Sequence, residues 1–274
     1  MRCSTFKFNG LMRSHEHRHP ESGIEIAAIF KAKGIIKERL SKAETKLSNF
    51  ILNFLNNCAP PCSCVLCAAS CKSSALCPAC LEKLPFLNAE LCPQCALPSN
   101  DSGLCGACLS HPPAFDFSYA ALIYAPPITE LIIAAKFSGQ WSLLPTLGQL
   151  LLQRVQAAPK PDFILPMPLH PSRLAERGYN QAFELAKPIA LQLQRPIQFC
   201  LERKINTEHQ ARLSQTERHK NMRLAFYTQH NLAGKHIAIV DDVMTSGSSL
   251  HAAAKCLKQA GAARVDAWVL ARAL

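Results

Sequence analysis

Beyond about residue 115, short aliphatic runs alternate with stretches whose apolar residues recur every three or four positions. That alternation is the pattern of β-α-β units and predicts a mostly parallel sheet flanked by helices. The run IAIV at 237–240 places no polar residue between its apolar ones, as a strand buried on both faces requires. Behind it, LHAAAKCLKQAG predicts a helix closing near Gly261. DFILPM, 162–167, predicts a further strand end. Near the N-terminus only 38–57 is patterned: Leu40, Leu47, Phe50, Ile51, Phe54 and Leu55 fall at helical spacing and predict a short amphipathic helix. No apolar run approaches the roughly 20 residues of a membrane span. The polar N-terminus, with its acids and histidines, lacks the apolar stretch of a signal peptide. Both features predict a cytoplasmic protein with no membrane span.

Composition divides the chain in three. Hydrophobic residues make up 49% and charged residues 18% of 274, a composition that favours a packed core over general disorder. Residues 1–57 carry ten Lys/Arg against five Asp/Glu and read as a partly disordered extension bearing the helix. Residues 58–112 hold most of the 14 cysteines and only five charged residues. Residues 113–274 hold the alternating α/β pattern. The net charge of +11 favours a polyanionic partner, nucleic acid or a phosphate-bearing ligand, although many soluble proteins are basic without such a partner.

Eight cysteines form four C-x-x-C pairs: Cys64/Cys67, Cys77/Cys80, Cys92/Cys95 and Cys105/Cys108. The spacing C-x2-C-x9-C-x2-C therefore occurs twice, offset by 28 residues. A C-x-x-C turn brings two thiolates to one side of a knuckle, and two knuckles complete a tetrahedral zinc site. The repeat predicts two structural Zn2+ ions in a double zinc ribbon over 58–112. Either adjacent knuckles share a metal, or the first pairs with the third in a cross-brace. A reducing cytoplasm disfavours disulfides. Cys58, Cys62 and Cys71 fall outside the repeat and could be spare ligands. Cys3, Cys200 and Cys256 read as small apolar side chains.

Asp241 and Asp242 directly follow the IAIV run, at the strand end beyond which open parallel sheets bind ligands. Val243 and Met244 lead on to Thr245, Ser246, Gly247, Ser248 and Ser249. Successive amides there, ahead of a helix N-terminus, suit a dianionic phosphate, and Gly247 lets the backbone turn closely around it. The acids suit a vicinal diol or a hydrated Mg2+. Together they describe a ribose 5-phosphate site. A helix cap would account for one hydroxyl but not for two acids and five small residues. At the other strand end, the loop around Pro168 precedes Arg173 and Arg177, whose guanidinium forks suit diphosphate oxygens or simply face solvent. Asn180 and Gln181 orient a ligand or lie on a helix surface. Lys136 reaches the site or complements the C-terminus of its own helix.

At these residues the chain meets a known pattern. VDDVMTSGSS resembles the phosphoribosyl diphosphate (PRPP) signature of type I phosphoribosyltransferases. With the double zinc ribbon, residues from about 60 to 274 resemble the ComF family. FILPMPLHPSRLAERGYNQAFELA, RKINTEHQARLSQTERHKNMRLAF and LIIAAKFSG resemble further segments of that family. Ser246 and Ser249 stand where threonines are common in it, a departure that keeps the amides and hydroxyls. The resemblance implies a type I phosphoribosyltransferase fold with PRPP and Mg2+ held over 241–249, and Asp241 and Asp242 catalytic if transfer occurs. Stretch 203–223, with six Lys/Arg against two glutamates, would be a flap over the substrate, with Arg203, Gln210 and Arg218 as its candidates. A surface for a nucleic-acid backbone or a solvated helix would read the same. The resemblance further implies a role in natural competence or DNA uptake, with single-stranded DNA and cytoplasmic uptake proteins as partners. Two functions stay open: a PRPP-binding protein that handles DNA, or an active transferase to an unidentified nitrogenous acceptor.

Overall fold

The computed structural model describes residues 62–71, 74–88, 90–99, 103–204 and 225–274. The amphipathic helix expected at 38–57, the rest of the N-terminal extension, and Cys3 and Cys58 lie outside them. The cysteine-rich part contains β1 (Cys62–Ser63) paired antiparallel with β2 (Ser70–Cys71), and two single-turn helices, α1 (Pro78–Glu82) and α2 (Gly106–Ser110). Each helix starts one residue after a knuckle cysteine, Cys77 or Cys105, so the knuckle's second sulfur projects from the first turn.

The expected parallel sheet is present. It comprises β3 (Phe117–Ile123), β4 (Phe163–Pro166), β7 (His236–Met244) and β8 (Arg264–Arg272). Their order is β3-β8-β7-β4, and each adjacent pair is parallel. Residues alternate between its faces. Ala238, Val240, Trp268 and Leu270 point to one side, where they meet α4 (Leu144–Val155) and α6 (Gln181–Leu193) through Leu147, Leu151, Leu185 and Ile189. Ile237, Ile239, Val265, Ala267 and Val269 point to the other, against Leu250, Ala253 and Leu257 of α7 (Ser248–Gln259). Burial on both faces is why these strands carry unbroken apolar runs. The α4–α6 approach depends on Gly148, where a Cβ would lie 2.7 Å from Leu185 O. Helices α3 (Ile128–Phe137) and α5 (Pro171–Arg177) bring further side chains toward the carboxyl end of the sheet.

The two halves of the cysteine region pack on opposite faces. Cys64, Cys71, Leu76, Cys77 and Leu84 share the cluster with α4 and α6, and Ala75 N donates to Thr146 Oγ1 at 3.3 Å. Leu87 and Ala96 share the other cluster with Phe115, Met244 and Leu250. Between them, residues 85–88 and 90–93 run alongside β3: Leu87 N donates to Ala121 O, Ile123 N to Pro85 O and Ser118 N to Pro93 O. Pro61–Leu274 form one compact unit. A separate two-stranded ladder joins β5 (Glu202–Arg203) to β6 (Phe226–Tyr227), bracketing 205–224. Gln210 and Arg218 fall within that bracket, outside the described residues.

Candidate functional site

The cysteine groups buttress the rest. Cys64, Cys67, Cys77 and Cys80 gather in one group and Cys92, Cys95, Cys105 and Cys108 in another, each with its sulfurs within 4.8 Å of one another. Adjacent knuckles therefore pair, and the cross-braced alternative does not occur. Cys67 and Cys77 sulfurs are 3.6 Å apart, as are those of Cys95 and Cys105. A tetrahedral zinc with bonds near 2.3 Å would space its sulfurs by roughly 3.8 Å, so both groups fit one. Backbone amides point at the first sulfur of each group. For Cys92 burial works upward, but amides of Cys105, Cys95 and Gln94 prevail and bring the thiol down to about 6. For Cys64 burial is likewise overcome by amides of Cys77, Cys67 and Leu66, again to about 6. Cys80 is pushed up to about 12 by the thiols of Cys67 and Cys77. Four thiolates cannot share so small a space without a cation among them. Four thiolates close the coordination sphere, so each site is suited to a structural metal and not to catalysis.

The cavity forms where β4 stops. Pro166 opposite Val240 is the last pair on that side, and Met167 N donates to Val240 O at 2.8 Å. Contrary to the expectation that the strand ends at the acids, β7 runs through both of them to Met244, because β8 continues beside it: Asp241 pairs with Val269 and Met244 with Arg272. The two acids thus lie on a strand rigid on one side and open on the other. Each carboxylate is fixed by the next amide: Asp241 Oδ1 accepts from Asp242 N at 2.9 Å, and Asp242 Oδ1 from Val243 N at 2.8 Å. Burial, with Asp242 adding to it and Lys136 opposing, pushes the Asp241 carboxyl up to about 7. Asp242 Oδ2 meets Lys136 Nζ at 2.6 Å. Burial alone would lower the Lys136 pKa, but Asp242 outweighs it and the net shift is upward. Lys136 in the last turn of α3 therefore serves a carboxylate from another element and not its own helix end.

The cavity measures about 420 Å³. Of the residues singled out from sequence, Lys136, Arg177, Asn180, Gln181, Arg203, Asp241, Asp242 and 243–249 line it. Pro168 and Arg173 do not; Met167 and Leu169 on either side of Pro168 face the cavity, and Arg173 pairs with Glu176 at 2.7 Å. Asn180 is both helix cap and clamp: its Oδ1 accepts from Ala182 N at 2.9 Å while its Nδ2 donates to Met167 O at 3.0 Å. Arg177 lies 5.1 Å over the ring of Phe137, which is 62% exposed beside Lys136. Tyr124, the first residue after β3, also lines the cavity; its signal was its place beyond a strand's carboxyl end.

The loop at 245–249 turns at Gly247, whose φ of +74° falls in the left-handed region that glycine tolerates. Gly247 is the N-cap of α7 and makes no side-chain cap. Ser246 Oγ instead meets Ser248 Oγ at 2.8 Å. Beneath the loop lies Arg272, 5% exposed, with Nη1 donating to Met244 O at 2.9 Å, to Ala273 O and to Thr245 O. Its Nε donates to Cys95 O at 2.8 Å. Its signal in the sequence was a lone guanidinium inside the apolar run VDAWVLARAL.

Comparison with known proteins agrees with this arrangement. The family model described as Phosphoribosyl transferase domain matches residues 180–274, and that described as Double zinc ribbon domain matches 55–109. The chain is 35% identical over 170 residues to DNA utilization protein YhgH of Escherichia coli O6:H1, covering 60% of this chain and 75% of that protein. It is 34% identical over 160 residues to Competence protein F of Haemophilus influenzae, covering 55% and 70%. Competence protein ComFC of Bacillus subtilis is 41% identical over 117 residues, 42% of this chain and 46% of that one. Among the described residues no helix is long and apolar enough to cross a membrane.

Proposed function

The chain belongs to the ComF family of competence and DNA-utilization proteins, and on that premise we propose that it binds PRPP with Mg2+ beside β7 and acts in the uptake or use of incoming single-stranded DNA. The observation that carries the reading is a convergence in one cavity. Two carboxylates, a loop of hydroxyls and amides leading into a helix, and three cations from separate elements meet there. In this reading the loop at 245–249 holds the 5-phosphate. Asp241 and Asp242 accept from the ribose hydroxyls, and Lys136, Arg177 and Arg203 face the diphosphate. The paired carboxylates also suit a hydrated Mg2+, which when bound neutralises diphosphate oxygens. Lys136 Nζ, 2.6 Å from Asp242 Oδ2, holds that carboxylate in place until the ligand arrives. The net charge of +11 supports a nucleic-acid partner in the cytoplasm.

Isothermal titration with PRPP and Mg2+ tests the small-molecule part. One site per chain is expected, with affinity at least ~30-fold weaker in Asp241→Asn/Asp242→Asn, a loss on the order of two charge-assisted hydrogen bonds. Equal affinity in the variant removes the assignment of the acids. For the DNA part, anisotropy of a labelled single-stranded oligonucleotide should rise on titration and weaken as salt is raised. No rise at moderate salt removes that part alone.

A second reading, transfer of the phosphoribosyl group to a nitrogenous acceptor, draws on Phe137, an exposed ring next to Lys136 in the chain and in contact with the cavity's Arg177. Such a ring could receive a planar base. Diphosphate would leave C1 as the acceptor nitrogen bonds to it, with Asp241 and Asp242 stabilising the positive charge that develops on the ribose. Diphosphate release with at least one nucleobase, abolished in the double Asn variant, is its expected outcome. Silence across a broad acceptor panel counts against it.

A further inference from the structure

The second four-cysteine group and the loop at 245–249 are separate in sequence but joined by one side chain. Arg272 ends β8, is nearly fully buried, and divides its donors between two structures. Nε donates to the carbonyl of Cys95, itself a member of the second cysteine group. Nη1 donates to the carbonyls of Met244 and Thr245, where β7 becomes the loop. A guanidinium is planar and rigid, so displacing one set of acceptors reorients the other. Charge acts in the same sense, because a zinc with four thiolates carries a net charge of about −2 beside this buried cation.

Two further contacts follow the same route. Phe115, 2% exposed, would lie 3.8 Å from a Cβ on Gly247, so the chain leaving the second ribbon packs under the loop's turn. Gln94, between Cys92 and Cys95, donates through Nε2 to Phe115 O at 3.4 Å, and its own carbonyl accepts from Ser118 Oγ. The first cysteine group has a different neighbourhood. It packs with α4 and α6, on the other face of the sheet from Met244 and Leu250, and is tied to Thr146 through Ala75 N.

We infer that Arg272 is a positioning residue coupling the second metal site to the phosphoribosyl site, so that metal retention by Cys92, Cys95, Cys105 and Cys108 and occupancy of the loop at 245–249 favour each other. The inference rests on the proposed reading of that loop as the seat of the PRPP phosphate. Such linkage is reciprocal, and each site must alter affinity at the other by the same factor. The first site supplies the internal control.

The experiment uses the zinc-loaded full chain. Zinc release to a chromogenic chelator is followed with and without PRPP and Mg2+, alongside titration calorimetry and hydrogen exchange of backbone amides under the same conditions. PRPP should slow release of one of the two zinc ions by at least about 5-fold, the low end of ordinary couplings between sites. Amides at 92–97 and 244–249 should gain protection while those at 64–80 do not. Arg272→Lys keeps the charge but loses the fork, and should retain two zinc ions and lose the selective slowing. Where PRPP gives heat but both ribbons respond alike or neither responds, the coupling is overturned and the pocket assignment stands. Where PRPP gives no heat, the pocket assignment and the coupling are overturned together. Selective slowing that persists in Arg272→Lys assigns the link to Phe115 and overturns the role of Arg272.

Discussion

The two zinc ribbons share one spacing, C-x2-C-x9-C-x2-C, and yet occupy unlike places. The first contributes Leu76 and Leu84 to the helical layer of α4 and α6, on the face of the sheet away from Met244 and Leu250. The second contributes Ala96 to the layer holding Met244 and Leu250, at either end of the loop that lines the cavity. An identical local solution to holding a metal has been attached once to a scaffold and once to a site. Local spacing decides what a ribbon binds, and the surface beneath it decides what that binding influences.

The largest expected effect comes from removing each metal in turn. Cys92→Ser/Cys95→Ser and Cys64→Ser/Cys67→Ser should each lower zinc content from two per chain to one, and each should lower stability by several kcal/mol, since metal binding in such small ribbons is folding energy. PRPP affinity should separate them: a loss of about 10-fold or more, ~1.4 kcal/mol, for the second site and within about 2-fold for the first. Equal losses would dissolve the contrast. A smaller perturbation tests the helical layer alone. Gly148→Ala forces a methyl against Leu185 O and should cost about 1–3 kcal/mol in denaturant titration, with PRPP affinity unchanged. Gly247→Ala places a side chain at φ +74° and should cost about 1 kcal/mol, but here PRPP affinity should fall as well. If both alanine variants bind alike, the two layers are not functionally distinct.

The smallest effect is on pH dependence. Asp241 has its folded pKa raised from 3.8 to about 7, so the folded state holds a proton that the unfolded chain has already released. Its contribution to stability is present below about pH 4 and is lost as pH rises through 7. Asp241→Asn should therefore melt about 2–4 °C above the ligand-free parent at pH 8, a shift on the order of 1 kcal/mol for a chain of this size, with a narrower gap at pH 5. A gap that widens on acidification would contradict the assigned direction.

Much of this arrangement was legible from local pattern. Unbroken aliphatic runs such as IAIV announced strands covered on both faces, and the repeated knuckles announced two four-cysteine groups. Spacing could not choose which knuckles share a metal, because adjacent and crossed pairings satisfy it equally; the turn geometry around Cys67–Cys77 and Cys95–Cys105 decides that. Lys136 sits where a helix-end cation would sit in any sequence, and only the approach of α3 to β7 gives it Asp242 as a partner. At the end of β4 the proline-rich loop was visible, but alternation put Met167 and Leu169 toward the cavity and Pro168 away from it. Arg272 shows the reverse case. A lone charge in a buried strand demands partners, but its acceptors come from Cys95 and Met244, 177 and 28 residues away, where no local rule can find them.

The connection between the ribbons, at 85–88 and 90–93, bears on the life of the protein before it acquires metal. It hydrogen-bonds along β3, the outermost strand of the sheet on that side, and so occupies donors and acceptors that would otherwise face solvent. An uncovered strand edge is a template for pairing with another chain. The connection between the two cysteine groups thus also covers an edge that could otherwise pair with another chain. If metal helps hold that connection, chain prepared without zinc should aggregate more than zinc-loaded chain, an outcome that light scattering checks.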